Sequence, residues 1–142
     1  VKVLIAEDDL MIADMVEERL VAHGYSVCGI ATTVADAVVL ALREKPDLAI
    51  IDYRLADGEL GTDILKQLNG RLRLGVLFAT GNASSITFPL TAGHACISKP
   101  YTEAALLHAL DLVSELVATG KASKPFPRGF KVLAPPWAPS VL

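Results

Sequence analysis

The sequence predicts an α/β domain built on a parallel sheet covered on both faces. Five short runs have strand length and are apolar nearly throughout: "KVLIA" (2–6), "YSVCGIA" (25–31), "DLAIID" (47–52), "LGVLFAT" (74–80) and "HACIS" (94–98). Between them lie longer segments with helical spacing. Strands without polar alternation are buried on both faces, and intervening helices supply the cover. The 142 residues suit one domain, large enough to bury roughly 68–70% of its unfolded surface in a single core.

Each helix carries its own signals. In "LMIADMVEERLVAHG", Ile12, Met15, Val16, Leu20 and His23 recur at three- and four-residue steps and predict the buried stripe, with Gly24 as the stop. A second helix is expected over Thr33 to Lys45, closed by Pro46, and a third over Leu60 to Leu68, closed by Asn69-Gly70. Thr102 is placed to cap the last, "EAALLHALDLVSELVATG", which ends at Gly120. Five strands in this alternation suit the flavodoxin-like, doubly wound order 2-1-3-4-5, which puts a ligand at the carboxyl ends of strands 1 and 3. Cys28 and Cys96 then fall on edge strands at opposite ends of the sheet, too far apart to bridge, so both are expected as free thiols.

Composition excludes several classes. Net charge is −3, with 52% hydrophobic and 20% charged residues, which leaves no basic surplus for nucleic-acid phosphates. Gly75, Gly81, Asn82, Pro89 and Gly93 interrupt the uncharged stretch from Leu74 to Ser98, so it would not span a bilayer. With no basic and apolar leader of the secretory kind, a cytoplasmic location is expected.

The carboxylates raise the functional question. Glu7, Asp8 and Asp9 end the first strand and Asp52 ends the third, so the topology gathers them at one crevice. Taken alone, the first three could serve a helix N-terminus and Asp52 could cap a turn. Gathered together they repel one another, which suits a hard divalent cation with oxygen ligands, Mg²⁺ first. Thr80 at the end of strand 4 adds a hydroxyl, and Lys99 after strand 5 an ammonium. Either could be an ordinary strand-end or loop residue. As a set the groups suit phosphoryl transfer to a carboxylate.

With "EDD" after strand 1, "IIDYRLADGELG" around strand 3, "FATG" at strand 4 and "SKPY" after strand 5, the sequence resembles the receiver domain of bacterial two-component response regulators, over residues 2 to about 118. The resemblance implies Asp52 as phosphoacceptor, Asp8 as a direct Mg²⁺ ligand, Glu7 acting on the ion through water, and the backbone carbonyl of Arg54 completing the metal site. It implies that Thr80 and Lys99 hold phosphoryl oxygens, that Asp9 is not a ligand, and that Lys99-Pro100 is cis. It also implies a sensor histidine kinase or phosphotransfer protein as donor, a downstream protein partner, a monomer or weak dimer, and no enzymatic activity beyond self-phosphorylation and autodephosphorylation.

Two departures set this chain apart. Cys96 stands where receivers commonly carry a switching Tyr or Phe, with Tyr101 nearby as an aromatic that either substitutes for it or packs. The interval from Thr80 to Lys99 is short, and "NASSITFPLTAGHA" is poor in helix formers, which predicts a short or irregular helix there. Both features, with "FATG", resemble the "FAT GUY" group of single-domain receivers, although Asn82 stands where that group often has an aromatic or Gly. That group suggests an HWE-type kinase as donor. A phosphate sink competing for a shared kinase is the alternative role. An aspartyl-nucleophile phosphatase is a different class, disfavoured because Arg54 occupies the place of its second acid. The domain is expected over residues 1–118 and a Pro-rich tail over 119–142, with no output domain. The tail's Phe126, Phe130 and Trp137 read either as a docking segment or as a disordered extension.

Overall fold

The computed structural model describes residues 1–81 and 94–133. Its elements are β1 (Lys2–Ala6), α1 (Leu10–Ala22), β2 (Ser26–Ala31), α2 (Val34–Glu44), β3 (Leu48–Asp52), a 3₁₀ turn (Ala56–Gly58), α3 (Thr62–Leu68), β4 (Gly75–Thr80), β5 (Ala95–Ser98), α4 (Glu103–Thr119) and β6 (Phe130–Val132). The sheet order is β2-β1-β3-β4-β5-β6. Strands 1 to 5 are all parallel, as a doubly wound fold requires. The register sets Ile51 of β3 beside Ala6 of β1 and Phe78 of β4, so Asp52 emerges next to the start of the acidic loop.

The sheet's two faces make two cores. Leu4, Ala49, Ile51, Val76 and Phe78 point to the side covered by α2 and α3. Val3, Ile5, Ile50, Leu77 and Ile97 point to the side covered by α1 and α4. Strands with both faces buried explain the continuous apolar runs. Helix ends follow the sequence signals: Thr33 and Thr102 accept from the amides of Asp36 and Ala105, and Gly120 closes α4 at φ +80°. Asn69 closes α3 in the left-handed region.

Three expectations are corrected. The sheet has six strands, because Phe130–Val132 of the expected tail pairs antiparallel with β5. A three-residue strand has no periodicity of its own to read, and its identity comes from the partner edge. The inward face of α1 is Ala13, Val16 and Leu20, while Met15, Ile12 and His23 are exposed. Ala13, fully buried, takes a place in the inward stripe that the bulkier Met and Ile were expected to fill. The third helix starts at Thr62 rather than Leu60, because Leu60 forms a bridge with Arg54.

Cys28 is half-buried on β2 and Cys96 buried on β5, both as free thiols. The irregular helix expected within 82–93 and the aromatic Trp137 lie outside the described residues. Among the described residues, no helix is long and apolar enough to cross a membrane.

Candidate functional site

The site is built where β1, β3, β4 and β5 end. Glu7 follows β1 directly, and its N–H donates to the Ala31 carbonyl of β2, which fixes the start of the acidic loop. One Glu7 carboxylate oxygen accepts from the Asp9 amide at 3.1 Å. Asp9 itself turns away to cap α1, accepting from the amides of Met11 at 3.0 Å and Ile12 at 3.3 Å. The three acids therefore divide their work: Asp9 serves the helix, while Glu7 and Asp8 face Asp52.

Ligand oxygens of Glu7, Asp8 and Asp52 all lie within 4.8 Å of one another. Glu7 is 7% exposed and Asp52 9%, so their repulsion is poorly screened by water. Burial, together with the charge of Asp52, pushes the Glu7 carboxyl up to about 7, against a hydrogen bond from the Asp9 amide and the Lys99 charge that pull it down. An all-oxygen, carboxylate-rich set of this kind fits a hard divalent cation.

Lys99 closes the site from the β5 side. Its Nζ donates to Asp52 Oδ1 at 2.7 Å and lies 3.9 Å from Glu7 Oε1. Burial alone would pull the ammonium's pKa down; the hydrogen bond and charge of Asp52, with the charge of Glu7, outweigh it and raise the value. The Lys99 backbone N–H donates to the Thr80 carbonyl at 2.7 Å, and the Lys99–Pro100 peptide is cis. Thr80 is buried as the last residue of β4. Arg54 lies two residues beyond Asp52 in the loop, its guanidinium 5.7 Å from the Tyr53 ring centroid. Tyr101 packs against the core of the α1/α4 face, and Cys96 is fully buried.

Two residues of the site were missed by sequence reasoning. Gly61 passes under Asp52: a Cβ there would meet the Asp52 carbonyl oxygen at 2.3 Å and Ile51 Cγ2 at 2.5 Å. Its N–H donates to the Tyr53 carbonyl at 2.7 Å, so the loop after the acid folds back tightly on the strand. Glu59, in the same loop, accepts from the Val34 amide at 2.9 Å and caps α2. The "DGELG" stretch held this signal in its final Gly, which no turn requirement explains.

Carboxylates and an ammonium are brought together at the carboxyl ends of a doubly wound sheet, the arrangement expected of a receiver domain. The chain belongs to the response regulator receiver domain family, whose description matches residues 3–111. It is similar to the phyllosphere-induced regulator PhyR of Methylorubrum extorquens, 36% identical over 80 residues, a stretch that is 56% of this chain and 30% of that protein. Among solved structures it resembles a CheY-like receiver domain protein of Methanospirillum hungatei, with TM-score 0.70, 30% identity, and coverage of 82% of this chain and 93% of that one. It also resembles the anti-anti-sigma factor PhyR of Bartonella quintana, with TM-score 0.60, 30% identity, and coverage of 72% and 42%. The chain thus spans less than half the length of either PhyR.

Proposed function

We propose that this receiver accepts a phosphoryl group on Asp52 from a phosphohistidine and signals through protein contacts. The observation that carries the proposal is the pairing of Asp52 with Lys99 at 2.7 Å beside two further carboxylates. A lone acid at a strand end would need neither.

The chemistry follows from these groups. An Asp52 carboxylate oxygen attacks phosphorus, the bond from phosphorus to the donor nitrogen breaks, and the leaving imidazole takes up a proton. Lys99 holds its ammonium where negative charge gathers on the phosphoryl oxygens, and the Thr80 hydroxyl would donate to another. Glu7, Asp8, Asp52 and the Arg54 carbonyl would hold Mg²⁺, which when bound neutralises phosphoryl charge. Burial keeps the site's electrostatics strong, while Asp8 on the open side leaves an approach for the donor.

The donor would be a histidine kinase, of HWE type, or a phosphotransfer protein. Apolar side chains at the start of α1 support contact with a protein: Met11 is 79% exposed, with Leu10 and Met15 exposed beside it. Leu10 and Met11 lie directly after Asp8 and Asp9, so a partner resting on them would sit at the site's rim. The PhyR relatives support an output that works by binding another protein.

Incubation with acetyl phosphate and Mg²⁺ followed by intact-mass measurement tests the proposal. One phosphoryl adduct is expected, absent in chelator and absent in Asp52→Asn. An adduct that persists in either condition overturns it.

A further inference from the structure

The segment after α4 has a structural partner that its composition hides. β6 lies antiparallel on β5, with Ala95 opposite Val132, Cys96 opposite Lys131 and Ile97 opposite Phe130. The pairing continues past both ends: the Ser98 N–H donates to the Gly129 carbonyl at 3.1 Å, and the Leu133 N–H donates to the His94 carbonyl at 2.8 Å. Alternate side chains then join different layers. Phe130 packs on the α1/α4 face and edge-on against Phe126, centroids 5.1 Å apart. Leu133 is buried with Cys96 on the other. Lys131 stays in solvent.

This strand reaches the reactive site through one residue. Ser98 precedes Lys99, so the backbone that carries the ammonium is held from two sides, by the Thr80 carbonyl on β4 and the Gly129 carbonyl on the tail. Gly129 sits at φ +83°, and a Cβ there would lie 3.3 Å from Ser98 Cβ; glycine permits both the conformation and the approach. Arg128 and Gly129 also form one wall of a cavity of about 490 Å³ whose other wall includes Ser98, Lys99 and Tyr101.

We infer that residues 128–133 are a self-supplied edge strand that positions Lys99, and that the β5 edge is a docking site whose occupant is this chain's own tail. An uncovered β5 would present unpaired N–H and C=O groups to any extended segment. The tail meets that demand at the high effective concentration of a tethered strand. It also blunts the new edge, being short and carrying the exposed Lys131. Lys99 is thereby a positioned group whose support lies in the Pro-rich segment. The inference rests on the phosphoryl-accepting reading only for its chemical readout.

Lys131→Pro in the whole 142-residue chain tests it. Ladder bonds at Ser98–Gly129 and His94–Leu133 stand two residues to either side of Lys131, so the Lys131 N–H faces β5 in the alternation of an antiparallel pair. Proline there removes the donor; Gly129→Ala strains the same contact, and Lys131→Arg is the conservative control. Expected in both damaging variants are Ser98 amide exchange faster by about tenfold, increased mobility at the Lys99 amide by heteronuclear relaxation, and several-fold slower labelling by acetyl phosphate. Mg²⁺ affinity stays within about twofold of the parent. A peptide spanning residues 124–133 restores the parent values, and the same peptide with Pro at 131 does not.

Unchanged Ser98 exchange overturns the strand's role. Faster exchange with unchanged Lys99 mobility and unchanged labelling overturns the positioning of Lys99. A parent that owes its Ser98 protection to dimerisation overturns the tail as occupant. If acetyl phosphate labels neither parent nor variant, the phosphoryl reading fails, while exchange and relaxation still decide this one.

Discussion

Lys99 Nζ donates to Asp52 Oδ1 at 2.7 Å, across a sheet whose fourth strand separates the strands that carry them. The two residues are 47 apart in sequence, and only the β3-β4-β5 register brings them together. With Glu7 at 3.9 Å the ammonium serves two carboxylates at once. Lys99→Ala is expected to slow labelling of Asp52 by about 10²-fold, the scale of removing one charge-stabilising donor, without abolishing it. The labelled variant should bind a partner no better than the unlabelled one. Quantitative intact-mass kinetics and a binding titration check the two halves.

The division between Asp8 and Asp9 gives the second prediction. Asp9 accepts from two amides of α1, so Asp9→Ala should cost about 1 kcal/mol of stability, the usual worth of an N-cap, with little change in Mg²⁺ affinity. Asp8→Ala should show the reverse, with affinity down by tenfold or more and the melting temperature nearly unchanged. Calorimetric titration and thermal unfolding separate the two. Equal losses in affinity would mean that both acids ligate.

How far the sequence could be read follows from where each feature's information resides. Strands 1, 3, 4 and 5 were legible because burial on both faces leaves a continuous apolar run, the half-buried edge strand β2 was legible from its short apolar run alone, and Asp52 and Lys99 stood out as charges ending such runs. β6 was not legible: "FKV" in a segment rich in Pro becomes a strand only because β5 offers an edge. The rotation of α1 was missed because Ala13 carries little hydrophobic weight in a periodicity count, yet it lies fully buried on the inward face with Val16 and Leu20. Gly61 was quoted within a motif without a role, since its need for no side chain comes from the Asp52 carbonyl above it.

Gly61 supplies the third prediction. Its backbone is ordinary, at φ −58° and ψ −28°, so alanine would be harmless on conformational grounds. The obstacle is space, because the added Cβ meets backbone and a branched core side chain that cannot both give way. Gly61→Ala should cost about 1–3 kcal/mol as an overpacked site, and it should also weaken Mg²⁺ binding by displacing Asp52. Thermal unfolding in the presence and absence of Mg²⁺ checks both effects. A variant with parent-like stability would show that the loop moves freely away from the strand.

The last prediction concerns His94, just before β5. It is 4% exposed, its Nδ1 accepts from the Val76 amide at 3.1 Å, and its backbone joins Val76 on one side and Leu133 on the other. Burial, assisted by the charge of Arg73, pushes its pKa down from 6.5 to about 4. The unfolded chain therefore takes a proton at this residue near pH 6.5, while the folded chain refuses it until near pH 4. The stability this histidine contributes is complete above about pH 6.5 and is lost as pH falls toward 4, by at most about 3 kcal/mol over that window. Glu7 works in the opposite direction. Its carboxyl is raised from 4.5 to about 7, so its contribution is complete below the ordinary carboxyl value and is lost as pH rises through 7. The two slopes oppose each other in the parent, and the informative quantity is the difference between the parent and His94→Asn, in which Glu7 is common to both. Asn can offer an acceptor oxygen to the Val76 amide but carries no titrating proton. Urea unfolding across the window should show the variant's stability gaining on the parent's as pH falls. Parallel pH profiles would mean that His94 accepts its proton without opening the β4–β5 boundary.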